Sequence, residues 1–169
     1  GTVTDCEVKS DNDFTNRTVC TLLNKALKKV NASVRFYQGA NYPEFIKNLP
    51  SLVGDVYQIS NKEELYAFAL LVNNNVETSA NAVLTEDIIV NTDVLNSDGT
   101  LNNNGSGFET WTPIGNAQNP YTGKFDGQGH TISGLYFKDV YASHVGLFSY
   151  SSGTIRNVGV IDSYFKGSD

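Results

Sequence analysis

Residues 125–137 read FDGQGHTISGLYF, and residues 148–160 read FSYSSGTIRNVGV. Aligning the two stretches places Thr131 on Thr154 and Ile132 on Ile155, a constant offset of 23 residues (154 − 131 = 23). A Thr-Ile unit that recurs at this interval is typical of a coil of stacked turns, in which each unit buries its aliphatic side chains against its neighbours. The pattern predicts a mainly β second half with a core of stacked aliphatic residues, namely Ile132, Leu135, Leu147, Ile155, Val158 and Val160.

The composition limits the classes of partner. The chain has 169 residues, of which 40% are hydrophobic, and a formal net charge of −6. Its basic residues form no stripe apart from Lys25, Lys28 and Lys29, so nucleic acid is not an expected partner. No apolar run approaches the roughly 18 residues that would indicate a membrane span. Because the sequence begins at Gly1 and contains no Met, we expect an excised N-terminal piece of a longer exported chain with flanking domains.

Helical and strand patterns divide the chain into two predicted parts. Apolar residues at helical spacing predict an amphipathic helix over Val19–Val30, and alternation predicts a strand over Ser33–Gln38. The segment EFIKNL between Pro43 and Pro50 is expected to form one or two helical turns. We therefore expect residues 1–56 to be a small α/β N-terminal cap or separate domain, and residues 57–169 to be the repetitive part.

The second part opens with a helix. Ser60 followed by Glu63 is a predicted capping box, and the apolar stripe behind it continues to Val72. Strands are expected around Ala82–Val90, and residues 91–107, rich in Asn, Ser, Asp and Gly, are expected to form a long surface loop. From Thr110 onward the frequent glycines predict short strands joined by sharp corners.

The second part resembles a known family. The string GLFSYSSGTIRNVGVIDSYF (146–165) resembles the GLUG-type repeat of bacterial surface proteins, and YQISNKEELYAFALLVN, LTEDI and WTPIGN…YTGKFDGQGHTISGLYF resemble the segment that commonly precedes it. This resemblance covers residues 57–165. It implies a right-handed parallel β-solenoid, or β-helix, on secreted, adhesin-like proteins of the bacterial cell surface. Residues 1–54 match nothing in the repeat.

Carboxylates and histidines are the candidate catalytic groups. Parallel β-helices resemble many polysaccharide lyases and hydrolases in architecture, and a glycosidase needs two acids about 5 to 9.5 Å apart. Asp87, Asp126 and His130 are the tentative acids of such an enzyme. The alternative is that Asp126-Gly127 is a turn dipeptide and that Asp87 is a corner or surface residue. No catalytic residue is assigned.

Aromatic residues are the candidate binding groups. Some of those that alternate with aliphatic residues in the predicted strands must face outward, where flat rings stack on sugars or anchor a protein partner. The alternative is that outward rings only form ladders with the neighbouring layer. The candidates are Trp111, Tyr121, Tyr136, Tyr141, Tyr150 and Tyr164.

Two cysteines and several polar loops complete the candidate sites. Cys6 and Cys20 are 14 residues apart (20 − 6 = 14) and would form a local disulfide in an oxidising compartment, or two free thiols in a reducing one. Residues 91–104 lack the ligand order of an EF-hand, and the Gly-rich string 123–129 lacks a nucleotide-binding motif. No metal or other cofactor is expected.

The sequence thus favours a non-enzymatic, exported module of the bacterial envelope that takes part in adhesion, or in interaction with a host protein or glycan, through a β-solenoid surface. One alternative is a carbohydrate-active β-helix, either a polysaccharide lyase or hydrolase or its binding module. Another is a structural spacer that carries a distant domain.

Overall fold

The computed structural model describes residues 17–30, 32, 34–40 and 43–168. Within these residues, the helices are α1 (Thr18–Lys29), α2 (Lys62–Asn73) and a short 3-10 helix (Asn102–Gly105). The strands are β1 (Arg35–Gln38), β2 (Pro43–Ile46), β3 (Ser51–Val53), β4 (Val56–Ile59), β5 (Asn81–Leu84), β6 (Ile88–Ile89), β7 (Lys124–Asp126), β8 (Thr131–Ser133), β9 (Tyr136–Lys138), β10 (Thr154–Arg156), β11 (Gly159–Ile161) and β12 (Tyr164–Lys166).

The expected right-handed parallel β-solenoid is wrong as a description of this fold. The described residues instead form several small separate sheets of mixed type. The sheets are β1-β2, β10-β7-β5-β4-β3, β11-β8-β6 and β12-β9. The first is antiparallel, the second combines an antiparallel pair with parallel pairs, and the last two are parallel. The strands are only two to four residues long, because corners and loops interrupt them.

The predicted 23-residue register is also wrong. Ile132 and Ile155 lie in different sheets, because Ile132 pairs with Val160 and Ile155 pairs with Phe125. Strand β12 pairs with β9 at an offset of 28 residues (164 − 136 = 28). The two segments are neighbours in space, but the Thr-Ile match aligned residues that are not paired with each other.

The two helices agree with the sequence pattern to within a residue or two. Helix α1 is held against β1 by Asn24, whose side chain accepts from the Phe36 N–H and donates to the Phe36 carbonyl, both at 2.7 Å. Helix α2 is capped one position later than expected. Asn61 accepts from the Glu64 N–H at 2.9 Å, and Glu64 accepts from the Ser60 N–H at 2.7 Å.

The expectation of one or two helical turns in the EFIKNL segment is wrong. Its first part lies in β2, which pairs antiparallel with β1 so that Ile46 is opposite Arg35. Ile46 is fully buried there. Pairing with a neighbouring strand stabilises this short segment more than an isolated turn of helix would, because a single helical turn is marginal in water.

The core lies between α2 and the parallel strands. Burial of the apolar side chains in this core supplies most of the stability of the fold, at roughly 25 cal/mol per Å² of apolar area. Ile132, Leu135 and Leu147 of the predicted core are buried, whereas Ile155 and Val160 are each 39% exposed. The largest hydrophobic side chains with almost no exposure are Trp111, Tyr57, Tyr121, Phe68, Phe125, Ile46, Ile59, Leu65, Leu71, Leu84 and Ile88.

A buried charge joins β1 to the rest of the chain. The Arg35 side chain is fully buried, and its Nε lies 3.4 Å from Glu77 Oε1. Its other nitrogens donate to the Tyr57 hydroxyl at 3.4 Å and to the carbonyls of Ala32 and Val34 at 2.7 and 2.9 Å. Because an unpaired buried guanidinium is costly, Glu77 fixes where β1 lies.

Side-chain amides and glycines hold the irregular segments. Asn73, at the end of α2, donates to the Pro113 carbonyl at 3.0 Å and accepts from the Gly115 N–H at 2.7 Å. Gly134 has φ +74°, and a Cβ there would clash with the backbone of Asn91. Only glycine therefore fits this corner without a shift of the neighbouring chain.

The expected loop at residues 91–107 has structure of its own. A bridge joins Leu95 to Leu101, and the 3-10 helix follows it. The Asp162 carboxylate accepts from the N–H groups of Val94 and Leu95 at 3.3 and 3.0 Å, which fastens the loop to the region between β11 and β12.

Candidate binding surface

Two of the six candidate aromatic residues lie in the core. Trp111 and Tyr121 have no exposed surface. The Trp111 Nε1–H donates to the Gly146 carbonyl at 3.2 Å, and the Tyr121 hydroxyl donates to the Ala80 carbonyl at 2.9 Å. Burial raises the pKa of Tyr121 above its usual range. Neither ring offers a face to a ligand in this structure.

Tyr136 and Tyr164 form a stacked pair on the sheet of β9 and β12. The two residues are directly paired, and their ring centroids are 6.2 Å apart with an interplanar angle of 23°. Phe108 packs on Tyr136 at 5.7 Å, tilted by 55°. We refer to Phe108, Tyr136 and Tyr164 as the aromatic ladder. Tyr164 is its last ring: among the described residues, Tyr136 is its one aromatic neighbour, and Tyr164 remains partly exposed.

Two lysines lie on the same face as the two tyrosines. In each strand the tyrosine and the lysine are two residues apart, and side chains at that spacing point to the same side of a sheet. Lys138 is directly paired with Lys166, and both are exposed. No carboxylate of the described residues lies within 4.0 Å of either ammonium group. The ladder therefore lies beside two lysines that have no carboxylate partner among the described residues.

The other two candidate tyrosines lie apart from the ladder. Tyr141 is 90% exposed, and no ring among the described residues stacks on it. Tyr150 packs against His144, with centroids 4.4 Å apart, and the His144 Nδ1 is 2.8 Å from the Ser143 hydroxyl. Of the six predicted residues, the structure thus stacks only Tyr136 and Tyr164 on each other.

Asp126, one of the tentative acids, is engaged by a cation and two amides. Its Oδ2 lies 2.7 Å from an Arg156 guanidinium nitrogen, and its Oδ1 accepts from the Gln128 N–H and the Asn157 amide, both at 3.0 Å. The Gln128 N–H, followed by the Asn157 amide and the Arg156 charge, lowers the pKa of this carboxyl below its usual value. Asp126 is therefore ionised at neutral pH.

Asp87 and His130 are close together but do not meet Asp126. The Asp87 carboxylate accepts from the Thr131 N–H at 2.7 Å and lies 3.4 Å from His130 Nδ1. The Thr131 N–H is the main cause of the lowered pKa of Asp87, and this side chain is 67% exposed. Asp87 and Asp126 share no hydrogen-bond partner among the described residues.

A shallow groove follows the outer face of the five-stranded sheet. It has a volume of about 530 Å³ and contains the Asp126–Arg156 ion pair. Asn81 and Thr154 add hydrogen-bonding groups, and Lys124 adds an exposed charge. The complete lining is Val56, Asn81, Ala82, Val83, Lys124, Phe125, Asp126, Thr154 and Arg156. This groove contains no aromatic ring with an exposed face, because Phe125 is buried.

The remaining site predictions concern cysteines, metals and membranes. Cys6 lies outside the described residues, and Cys20 is buried with its sulfur 3.9 Å from the Gln38 side-chain oxygen, so the disulfide stays a prediction. Within the described ranges, no group of three or more His, Cys, Asp or Glu residues is placed to hold a metal ion. In the same part of the chain, no helix is long and apolar enough to cross a membrane.

Comparison with known protein families, with curated proteins and with solved structures finds no match for this chain.

The sequence contains a signal for the ladder that the Thr-Ile alignment passed over. The tripeptide Tyr-Phe-Lys occurs at residues 136–138 and again at 164–166. These two copies are the ones that pair residue for residue. Aligning them would have indicated both the stacked tyrosines and the adjacent lysines, whereas the packing of Phe108 on Tyr136 has no such repeat to reveal it.

Proposed function

We propose that this chain is a non-catalytic glycan-binding module whose ligand stacks on the aromatic ladder. The observation that carries the proposal is the end of the ladder at Tyr164, a partly exposed ring without a further aromatic neighbour among the described residues. The apolar face of a sugar ring packs well on such a ring, and its hydroxyl groups remain in water.

The ladder is suited to binding because it is held in place before a ligand arrives. Tyr164 is in a strand, its N–H donates to the Leu135 carbonyl at 2.8 Å, and its ring rests on Tyr136. Tyr136 is in turn supported by Phe108, and a Cβ at Gly105 would clash with its ring. A ring fixed in this way loses little conformational entropy when a ligand stacks on it.

The engagement of the tentative acids supports a non-catalytic role. A glycosidase needs one carboxyl that stays protonated near neutral pH, and this requires a raised pKa. The pKa values of Asp87 and Asp126 are lowered instead, by hydrogen bonds and by nearby cations. These carboxylates are thus better explained as structural contacts at corners and between neighbouring strands than as an acid-base pair.

The proposed location is the bacterial cell surface, where the module would serve adhesion or glycan capture. This part of the proposal is supported by the resemblance of residues 57–165 to GLUG-type repeats, and it is independent of the ladder geometry. Detection of the intact protein on unpermeabilised cells with an antibody to this chain would test it, and signal seen only after lysis would contradict it.

Binding itself is tested by affinity electrophoresis and calorimetry against a panel of soluble polysaccharides. Tyr164→Ala should lower affinity about 5- to 30-fold, since one stacked ring contributes on the order of 1 to 2 kcal/mol. Tyr141→Ala is the matched control, because it removes an exposed tyrosine that stacks on no other ring of the described residues. Equal affinities for the two variants, or no retardation of the wild-type chain by any polysaccharide, would contradict the proposal.

A further inference from the structure

The paired lysines beside the ladder are an unfavourable arrangement in the free protein. Lys138 and Lys166 face each other on neighbouring strands, which lie about 4.8 Å apart. Like charges placed directly opposite on a sheet repel, and the repulsion persists unless an anion lies between them. Asp139, the chain neighbour of Lys138, does not supply one within ion-pair distance, and its carboxylate accepts from the Tyr141 N–H at 2.9 Å.

The Lys138–Lys166 pair contrasts with the overall charge of the chain, which is negative. Acidic residues outnumber basic ones, 18 against 12, yet the face that carries Tyr136 and Tyr164 carries only lysines at the next paired position. The two lysines are about 6.6 Å along the strand from the tyrosines, at two residues of roughly 3.3 Å each. A ring stacked on Tyr164 therefore brings its substituents, or those of the next sugar, within reach of two flexible ammonium groups.

We propose that the ligand of the aromatic ladder is an anionic polysaccharide, whose carboxylate or sulfate groups bind between Lys138 and Lys166, an inference that depends on the proposed glycan-binding function. The tyrosines hold the sugar ring, and the lysine pair selects for its negative charge. Carboxylate and sulfate are both compatible with a pair of ammonium groups, which act as point charges and impose no planar geometry.

A single-stranded nucleic acid would also offer rings and negative charges. It is the less favoured occupant, because such ligands are bound along a positively charged groove that follows several phosphates. Here the cationic feature is one pair of lysines beside the ladder, in a chain with a net charge of −6. A homopolymeric oligonucleotide is accordingly included in the test.

The experiment compares four probes on the wild-type chain at low ionic strength: a neutral glucan, a polyuronate, a sulfated dextran and an oligothymidylate. We expect the polyuronate or the sulfated dextran to bind most tightly, and binding to weaken as salt is raised toward about 0.5 M. The double variant K138Q/K166Q should lose about 10-fold in affinity for the anionic probe, as two exposed charge contacts imply. Its affinity for the neutral glucan should not change.

The variant K25Q/K29Q is the matched control, because it removes the same charge from exposed positions on α1. It should leave affinity unchanged. K138Q/K166Q should also melt no lower than the wild type, since it relieves a repulsion, so that a loss of binding does not reflect unfolding.

The outcomes separate the inference from the proposed function. Tyr164-dependent binding of neutral and anionic glycans with equal affinity would overturn the charge inference and leave the proposed function standing. Equal losses of affinity for the anionic probe in K138Q/K166Q and K25Q/K29Q would also overturn the charge inference alone, since the effect would be one of net charge. Oligothymidylate as the tightest probe would overturn the inference in favour of nucleic acid. Absence of Tyr164-dependent glycan binding would overturn both.

Discussion

The substitution Glu77→Gln should destabilise this chain more than any change of a surface charge. Glu77 is the one carboxylate among the described residues within ion-pair distance of the buried Arg35, with Nε and Oε1 3.4 Å apart. Glutamine keeps the shape and the hydrogen-bonding oxygen but removes the negative charge. The guanidinium, which has no exposed surface, is then left uncompensated.

The magnitude follows from the burial of the two partners. Removing one partner of a buried pair costs roughly 3 to 5 kcal/mol. Because the Glu77 side chain is 18% exposed and also contacts Lys28 at 3.0 Å, we expect the lower end, about 3 kcal/mol. The double variant R35M/E77Q should recover part of this and cost only about 1 to 2 kcal/mol, since it removes the buried charge and leaves the Tyr57 hydroxyl and two backbone carbonyls without the Arg35 donor.

The assay is urea unfolding followed by the fluorescence of Trp111, the single tryptophan and a fully buried one, with far-UV circular dichroism as a second probe. Glu109→Gln is the control, because its pair with Lys62 is shorter, at 2.8 Å, but exposed on both sides. This control should leave the unfolding midpoint essentially unchanged. The reasoning is refuted if Glu77→Gln costs less than about 1 kcal/mol, or if R35M/E77Q costs as much as Glu77→Gln and the single variant Arg35→Met added together.

Two further predictions concern a corner and a carboxylate. Gly134→Ala should cost about 3 kcal/mol or more in urea unfolding, because positive-φ strain adds to the clash of its Cβ with a neighbouring backbone. Gly99→Ala, at φ +81° with open space around it, should show the strain alone, about 1 kcal/mol. Similar costs for the two variants would contradict the clash. Asp126 has a lowered pKa when folded, so its stabilisation is complete above the usual value of 3.8 and is lost as the pH falls through the folded value. Thermal unfolding at pH 7 and pH 3 should therefore show a smaller acid loss for Asp126→Asn than for the wild type, and parallel losses would contradict this.

Local periodicity predicted the helices better than the strands. The apolar spacing around Leu65 and Phe68 fits a helix with both residues on its buried face, and both are buried in α2. Strands of two to four residues contain too few positions for their own alternation to fix a register. Register is set by which segments meet in space, so the Thr-Ile match at residues 131 and 154 was misleading.

The candidate site was only partly predictable for a similar reason. An outward-facing tyrosine is indicated by alternation, as for Tyr136 and Tyr164, but burial is not, as Trp111 and Tyr121 show. Whether a carboxylate is free or engaged also depends on distant partners. Arg156 lies 30 residues from Asp126 in the chain, and nothing in the residues around either one indicates their ion pair.

The Asn73 amide has a consequence for the chemical ageing of this protein. Its nitrogen and oxygen serve opposite purposes, donating to Pro113 and accepting from Gly115. Spontaneous deamidation would replace the nitrogen with a second oxygen and set a negative charge against the Pro113 carbonyl. The joint between the end of α2 and the segment that precedes β7 is therefore a place where slow hydrolysis of one side chain would loosen the structure without cutting the backbone.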